Sequence, residues 1–334
     1  MRSKFLNIFF GALAIAVLYF TSVLYEFFHI PLVKKGVQQS IKVYPNQSAT
    51  IVSQTLYQQH ILQHPELFEW LVAMMGNRFQ LHFGEYQIQY PITAWQLLKN
   101  MSTGTGLVKH RLTIVEGWTF QNIREAMAAN PDLSQTITKE SNAEVMQQLK
   151  SSFVQPEGLF YPNTYFFTWG NTDLSVLKMA YQKMQTLSQA AWKNRASNLP
   201  YQNVYQALIV ASMIEKETAL SSERPLVASV IMNRLAKHMR LQIDPTVQYG
   251  VGGKFTVVIT KTDLLTKTPY NTYLIDGLPP TPICMPSISS IEAALHPATT
   301  DYLYYVANGK GGHTFSETYV EHQEAVAVYH SQQH

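Results

Sequence analysis

Two glutamates, Glu215 and Glu217, close an apolar helical run, and a helix cannot aim both at one site. The stretch "VASMIEKETALSSERPLVASVIMNRL" (210–235) follows Leu208 and Ile209 and continues through Met213 and Ile214 before the first carboxylate. Residues two apart on a helix point about 200° away from each other. Glu217 lies over Met213 and Ile214, the apolar side, and Glu215 over Ala211 and Ser212. A carboxyl on an apolar stripe near a helix end is poorly hydrated, which holds its proton to higher pH. That is the state a general acid needs before it protonates a leaving oxygen. The competing explanation is an ion pair inside the fold, with Lys216, Arg224 or Arg234 neutralising either glutamate. The periodicity favours Glu217 as the acid, with Thr218 beside it.

Other polar residues could hold an uncharged, hydroxyl-rich ligand. "QIDPTVQYG" offers Gln242, Asp244, Thr246 and Tyr249, and "PYNTY" offers Tyr270, Asn271 and Tyr273. Amides and hydroxyls suit the edges of sugar rings, and aromatic faces suit their flat sides. The same residues could equally build a turn with an Asp cap and a tyrosine-rich core edge. His313 in "GKGGHTF" and Glu157 in "PEGLFYP" are each a ligand contact or a loop hydrogen-bond partner. The glycines before His313 imitate a phosphate loop but lack its spacing and a following helix, so nucleotide binding is not expected. With one cysteine, Cys284, in a Pro-rich loop, neither an internal disulfide nor a cysteine zinc site is possible. The eleven histidines form no H-E-x-x-H pattern, and neither a metal nor another cofactor is expected. A net charge of +3 without any Lys/Arg run gives no nucleic-acid footprint.

The elements that must position these groups can be traced along 334 residues, 46% apolar and only 14% charged. Phe5 to Tyr25 carries no charge and as a helix would span about 31 Å, enough for a hydrocarbon core. Arg2 and Lys4 precede it, and it is longer than the ~7–15-residue apolar core of a cleaved signal peptide. The expectation is a single-pass anchor in the inner membrane, with the amino terminus inside and the body in the periplasm. Lys34 and Lys35 on the far side run against that orientation. "SIKVYP" and "GEYQIQYP" alternate as strands around two helices, the first capped by Ser48 and the second ended by Gly76. Thr93 then opens another helix. The predicted fold class is α+β: an anchor over 1–30, a connector and small βααβ module over 31–106, and a larger mixed domain over 107–334. The module has no converging titratable groups, so binding or spacing is its expected role, and Tyr86, Tyr90 and Trp95 could stack on sugar or fill its core.

Several long motifs resemble the endolytic murein transglycosylase (YceG-like) family. They are the glutamate stretch extended through "AKHMRLQIDPTVQYG", and "YNTYLIDGLPPTPI", "HPATTDYLYYVANGKGGHTF" and "PEGLFYPNTYFF". The likeness runs from about residue 41 to the end. It implies a membrane anchor, a LysM-like module and a catalytic domain whose acid, the second glutamate of E-K-E-T, is Glu217. It implies peptidoglycan glycan strands as substrate and cleavage between N-acetylmuramic acid and N-acetylglucosamine to leave 1,6-anhydro ends. It also implies work beside glycan-polymerising penicillin-binding proteins. Three positions depart from the family pattern: Asn163 stands where Asp is usual, and Thr281 and Ser287 where Gly is usual. A glycoside hydrolase pairing Glu217 with Asp244 or Glu157, and a non-catalytic glycan-binding scaffold, are the alternative readings.

Overall fold

The computed structural model describes residues 2–76, 81–253, 255 and 258–332. It is a mixed α+β structure with an apolar amino-terminal helix and two compact units. One unit holds the chain up to His110 with Asp132–Ser134 and Phe166–Asn171; the other holds the remainder.

In the first unit, α1 (Arg2–His29) contains the stretch Leu6–His29, long and apolar enough to cross a membrane. Ile8, Phe9, Leu13, Ile15 and Phe20 are all more than half exposed or nearly so, an apolar surface of a size that marks contact with lipid or protein. Its last turns behave differently. Phe27 is buried, Val23, Leu24 and Phe28 pack on the same core, and Phe28 meets the Trp95 ring at 5.2 Å. The core they join is built by β1 (Gln38–Val43), α2 (Ala49–Gln58), α3 (Pro65–Met75), β2 (Gly84–Gln89) and α4 (Ala94–Thr103). β1 and β2 pair antiparallel with Ile41 opposite Tyr86, and the strand alternation turns Ile41, Val43, Tyr86 and Ile88 inward. Ser48 accepts from the Ile51 amide to cap α2, Gly76 ends α3 at φ +64°, and Thr93 with Gln96 forms a capping box on α4. Tyr86 is therefore core, its hydroxyl donating to the His82 carbonyl at 2.9 Å, and cannot stack on a ligand. Trp95 is half-buried against Phe28, and Tyr90 is exposed.

The remaining elements are β3 (Lys109–Ile114), α5 (Phe120–Ala128), α6 (Asn142–Gln148), β4 (Asn163–Thr168), α7 (Asp173–Lys193), α8 (Val204–Glu217) and α9 (Arg224–Ala236). After them come α10 (Asp244–Gly250), α11 (Lys261–Leu265), α12 (Ile288–Leu295), β5 (Tyr304–Ala307), β6 (His313–Ser316) and α13 (Tyr319–Ser331). Among the described residues the strands form three two-stranded ribbons, β1–β2, β3–β4 and β5–β6. The second unit is organised around α8, which packs against α7, α9, α10 and α12 and buries every residue from Ala207 to Ile214. A helix so enclosed leaves only its two ends available for polar work.

Candidate active site

α8 starts where Asn203 accepts from the Gln206 amide at 3.0 Å and stops at Glu217, after which Thr218 turns extended. The last turn delivers its two glutamates into opposite surroundings. Glu215 is saturated: it accepts from the Ser287 hydroxyl at 2.5 Å, the Ser287 amide at 2.9 Å and the Ser290 hydroxyl at 2.7 Å, and pairs with Arg224 at 3.3 Å. Ser287 is the N-cap of α12, so the carboxylate also sits at the positive end of that helix. Arg224 in turn donates to Ser287 and Ser289. So fully partnered, this carboxylate ties α8, α9 and α12 together.

Glu217 is half-buried and faces the other way. Burial pushes its pKa up to about 7; a hydrogen bond from the Tyr305 hydroxyl pulls down, and the negative charge of Asp244 pushes up again. The carbonyl end of α8 adds to the same upward pressure. Tyr305 is held well above the ordinary phenol range by burial and by Glu217, so it remains a donor. Asp244 opens α10 and accepts the Tyr273 hydroxyl at 2.5 Å. It is exposed.

A closed circuit of contacts fixes the Glu217 carboxyl. Thr218, directly after Glu217, donates to Glu223 at 3.0 Å. Glu223 also receives the His313 amide at 2.7 Å and lies 2.7 Å from the His313 ring Nδ1. Burial alone would raise Glu223, but these bonds outweigh it and hold its carboxyl below the usual range. The His313 ring meets the Tyr305 ring edge-on at 5.4 Å, and Tyr305 returns to Glu217. Gly312 lets this contact stand as it is, because a Cβ at that position would fall 2.4 Å from a Glu223 oxygen and the carboxylate would have to shift. Arg234 braces the circuit from behind, donating to the carbonyls of Leu303 at 2.6 Å and Leu241 at 2.9 Å and to Gln242 at 3.1 Å. It serves backbone carbonyls and the Gln242 side chain, and neither glutamate of α8.

The other sequence candidates separate into three groups. Asp244, Tyr273 and His313 are brought to the neighbourhood of Glu217, and Gln242 stands next to them, exposed, in a left-handed backbone conformation at φ +53°. Thr246 and Asn271 are fully buried. Thr246 donates to the Ile243 carbonyl and shares a proton with Thr272, while Asn271 donates to the carbonyls of Leu264 and Thr266. Both shape the loops that carry Asp244 and Tyr273, and neither reaches a ligand. The third group is separate. Glu157 is buried, accepts the Phe120 amide and the Tyr249 hydroxyl, each at 3.0 Å, and has its pKa raised to about 7 by that burial. Tyr249 packs on Tyr270 at 4.8 Å, whose hydroxyl meets Thr281 at 2.9 Å. Neither a hydrogen bond nor a charge interaction couples Glu157 to Glu217.

Cys284 is buried with its thiol pushed well above its ordinary value, and donates to the Ser212 carbonyl; it is no nucleophile. Asn163 is exposed on β4. Among the described residues no three of His, Cys, Asp or Glu converge as metal ligands. The neighbours of Glu217 that sequence reasoning misses are Tyr305 and Glu223, and the only local signal for Tyr305 is a tyrosine-rich strand followed by a Gly-Gly-His turn.

The sequence profile of the YceG-like family matches residues 41–328. The chain belongs to this family. An endolytic murein transglycosylase of Bacillus subtilis (strain 168) is 31% identical over 312 residues, 87% of this chain and 84% of that protein. A protein of the same name from Streptococcus pneumoniae serotype 2 is 28% identical over 305 residues, covering 82% of this chain but 54% of its own length. The crystal structure of a YceG-like protein from Listeria monocytogenes superposes with a TM-score of 0.55 at 30% identity, covering 86% of this chain and 98% of that one.

Proposed function

We propose that this YceG-like chain is a lytic transglycosylase that cuts peptidoglycan glycan strands internally, with Glu217 as both acid and base. The observation that carries the reading is the half-buried carboxyl of Glu217 at the end of a buried helix, its pKa raised by burial and its direction fixed by Tyr305 and the circuit of contacts. Glu217 gives its proton to the oxygen between N-acetylmuramic acid and N-acetylglucosamine, and the C1–O bond breaks with the electron pair leaving on that oxygen. The muramic acid 6-hydroxyl attacks the oxocarbenium-like C1, and its proton passes to the Glu217 carboxylate. The acid is regenerated, a 1,6-anhydro ring is formed and no water is consumed. A pKa near the working pH lets one group perform both transfers. The names of the Bacillus and Streptococcus relatives support the reaction class.

Tyr305 and Glu223 are positioning residues in this scheme, and Asp244, Tyr273, Gln242 and His313 form the wall against which the sugar lies. α1 anchors the chain in the inner membrane through residues 5–25, with the body in the periplasm. The strand–helix–helix–strand unit acts as a LysM-like glycan-binding module, and the cut strands are those being made by penicillin-binding proteins. A hydrolase is the second reading, because Asp244 is near enough to act on the Glu217 charge and hydrolases place two carboxyls across the bond. Mass spectrometry of purified glycan strands digested in ¹⁸O-water separates the two. Anhydro ends without label are expected; labelled reducing ends would make the enzyme a hydrolase.

A further inference from the structure

We propose that the pocket at the amino-terminal end of α8 is a remote subsite for an N-acetylated sugar of the same glycan strand, a proposal that rests on the transglycosylase reading of Glu217. The cavity measures about 620 Å³, within the range of ordinary small-ligand sites. Its aromatic wall is a ring pair, Phe153 and Tyr205, stacked at 4.4 Å and 15°, with Trp192 opposite on α7. Four amides complete it: Gln189, Gln202, Asn203 and Gln206. The carbonyl oxygens of Asn203 and Gln206 are used within the helix start, accepting from the Gln206 and Gln202 amides at 3.0 and 2.7 Å. Their NH₂ groups donate to no protein atom among the described residues, which leaves donors for hydroxyl or acetamido oxygens.

A smaller cavity of about 80 Å³ adjoins it, sharing Phe153, Gln189, Val204 and Tyr205 and adding Leu159, Met184 and Leu208. Tyr181, Gln185 and Ser188 also line it, and a small recess with both apolar and polar walls beside amide donors fits an acetamido group, which plain glucose polymers lack. No Lys, Arg, Asp, Glu or His lines either cavity. One cation stands beside the lining, the Arg195 guanidinium 4.1 Å over the Trp192 ring, and a neutral sugar needs no counter-charge.

The position on α8 supplies the link to the chemistry. Gln206 and Glu217 stand at the two ends of α8 that its burial leaves open, about 16 Å apart along the axis. That is a reach of a few sugar residues. An enzyme that cuts inside a strand gains from holding it away from the scissile bond, since remote binding energy orients the reacting atoms.

Binding is measured without turnover, by calorimetry on the full-length Glu217→Gln chain, with the N-acetylglucosamine tetramer, the glucose tetramer and an acidic tetrapeptide as probes. The expected result is that the acetylated tetramer binds at least tenfold more tightly than the glucose tetramer. Gln189→Ala and Trp192→Ala should each weaken it about tenfold with unchanged thermal melts. Gln189 is exposed on α7, so its replacement leaves the core untouched. Equal affinity for the two tetramers, unchanged affinity in both pocket variants, or binding of the peptide at this pocket overturns the proposal. None of these outcomes bears on whether Glu217 cleaves, which the ¹⁸O digestion reads separately.

Discussion

Glu215 and Glu217 occupy one turn of one helix, yet their surroundings give them opposite chemistry. Glu215 has three hydrogen-bond donors and an arginine within 3.3 Å, at the amino end of α12. Glu217 has one phenol donor, a neighbouring aspartate and the carbonyl end of its own helix. The first set engages the carboxylate on every side; the second, with burial, favours the neutral acid. Glu157 extends the comparison. It shares the elevated pKa of Glu217, but it is buried and bonded to Phe120 and Tyr249, so its proton has nowhere to go. Raised proton affinity alone does not make an acid catalyst; access to a reacting atom is also required.

Exchanging the two glutamates for glutamine should break this comparison most visibly. Glu217→Gln keeps shape and hydrogen bonding but cannot release and retake a proton, and cleavage should fall at least 10²–10⁴-fold, the usual worth of general acid–base help. Its fold should persist. Glu215→Gln leaves Arg224 without its anion, which should cost roughly 3 kcal/mol of stability while the folded fraction still cleaves. Activity on purified strands, normalised by thermal melts, reads both.

Glu157→Gln tests the comparison through stability. A carboxyl whose pKa rises from 4.5 to about 7 on folding weakens the fold by roughly 3 kcal/mol once the pH exceeds 7. Its favourable contribution is complete below pH 4.5 and is lost as the pH climbs through 7. The glutamine variant should therefore melt higher than the parent at pH 8 and no higher at pH 4.5.

The pH profile of cleavage sharpens the assignment further. Activity should decline as the pH rises through the Glu217 pKa, because the acid form is consumed. The groups facing that carboxyl are Tyr305 from β5 and Asp244 from α10, with Tyr273 and Arg234 behind them. Tyr305→Phe removes a bond that favours the anion, so the declining limb should move to higher pH. Asp244→Asn removes a repelling charge, so the limb should move to lower pH. A variant that loses activity without moving the limb would be structural only. The smallest expected effect on turnover is that of Ser287→Gly, which forfeits the hydroxyl's two hydrogen bonds, with Glu215 and with Arg224, and an N-cap, roughly 2–4 kcal/mol of stability, with turnover retained.

Local chemistry made part of this legible in advance. Ser48, Thr93 and Gly76 mark helix ends by side-chain capping and positive φ, and the structure uses each of them. The two glutamates could be told apart because a helix has a fixed angular step. Their partners could not. Tyr305, Glu223 and Ser287 come from distant elements, and only the packing of β5, α9 and α12 around α8 assigns them. Thr246 and Asn271 misled for a physical reason: polar side chains are buried freely when their hydrogen bonds are met inside, and nothing local distinguishes such a residue from one facing a sugar. Asp244 reads as a turn before Pro245, yet it begins α10 because proline is favoured in a first helical turn. β4 lies hidden behind Pro162, and α13 has no buried face to give it a periodic signature.

The most direct test of the central claim is to titrate the acid itself. ¹³C NMR of glutamate-labelled chain follows each carboxyl carbon with pH, and the resonance that vanishes in Glu217→Gln identifies Glu217. A midpoint near pH 7 that moves upward in Tyr305→Phe is the expected result. A midpoint near 4.5, unmoved by that substitution, would contradict the account.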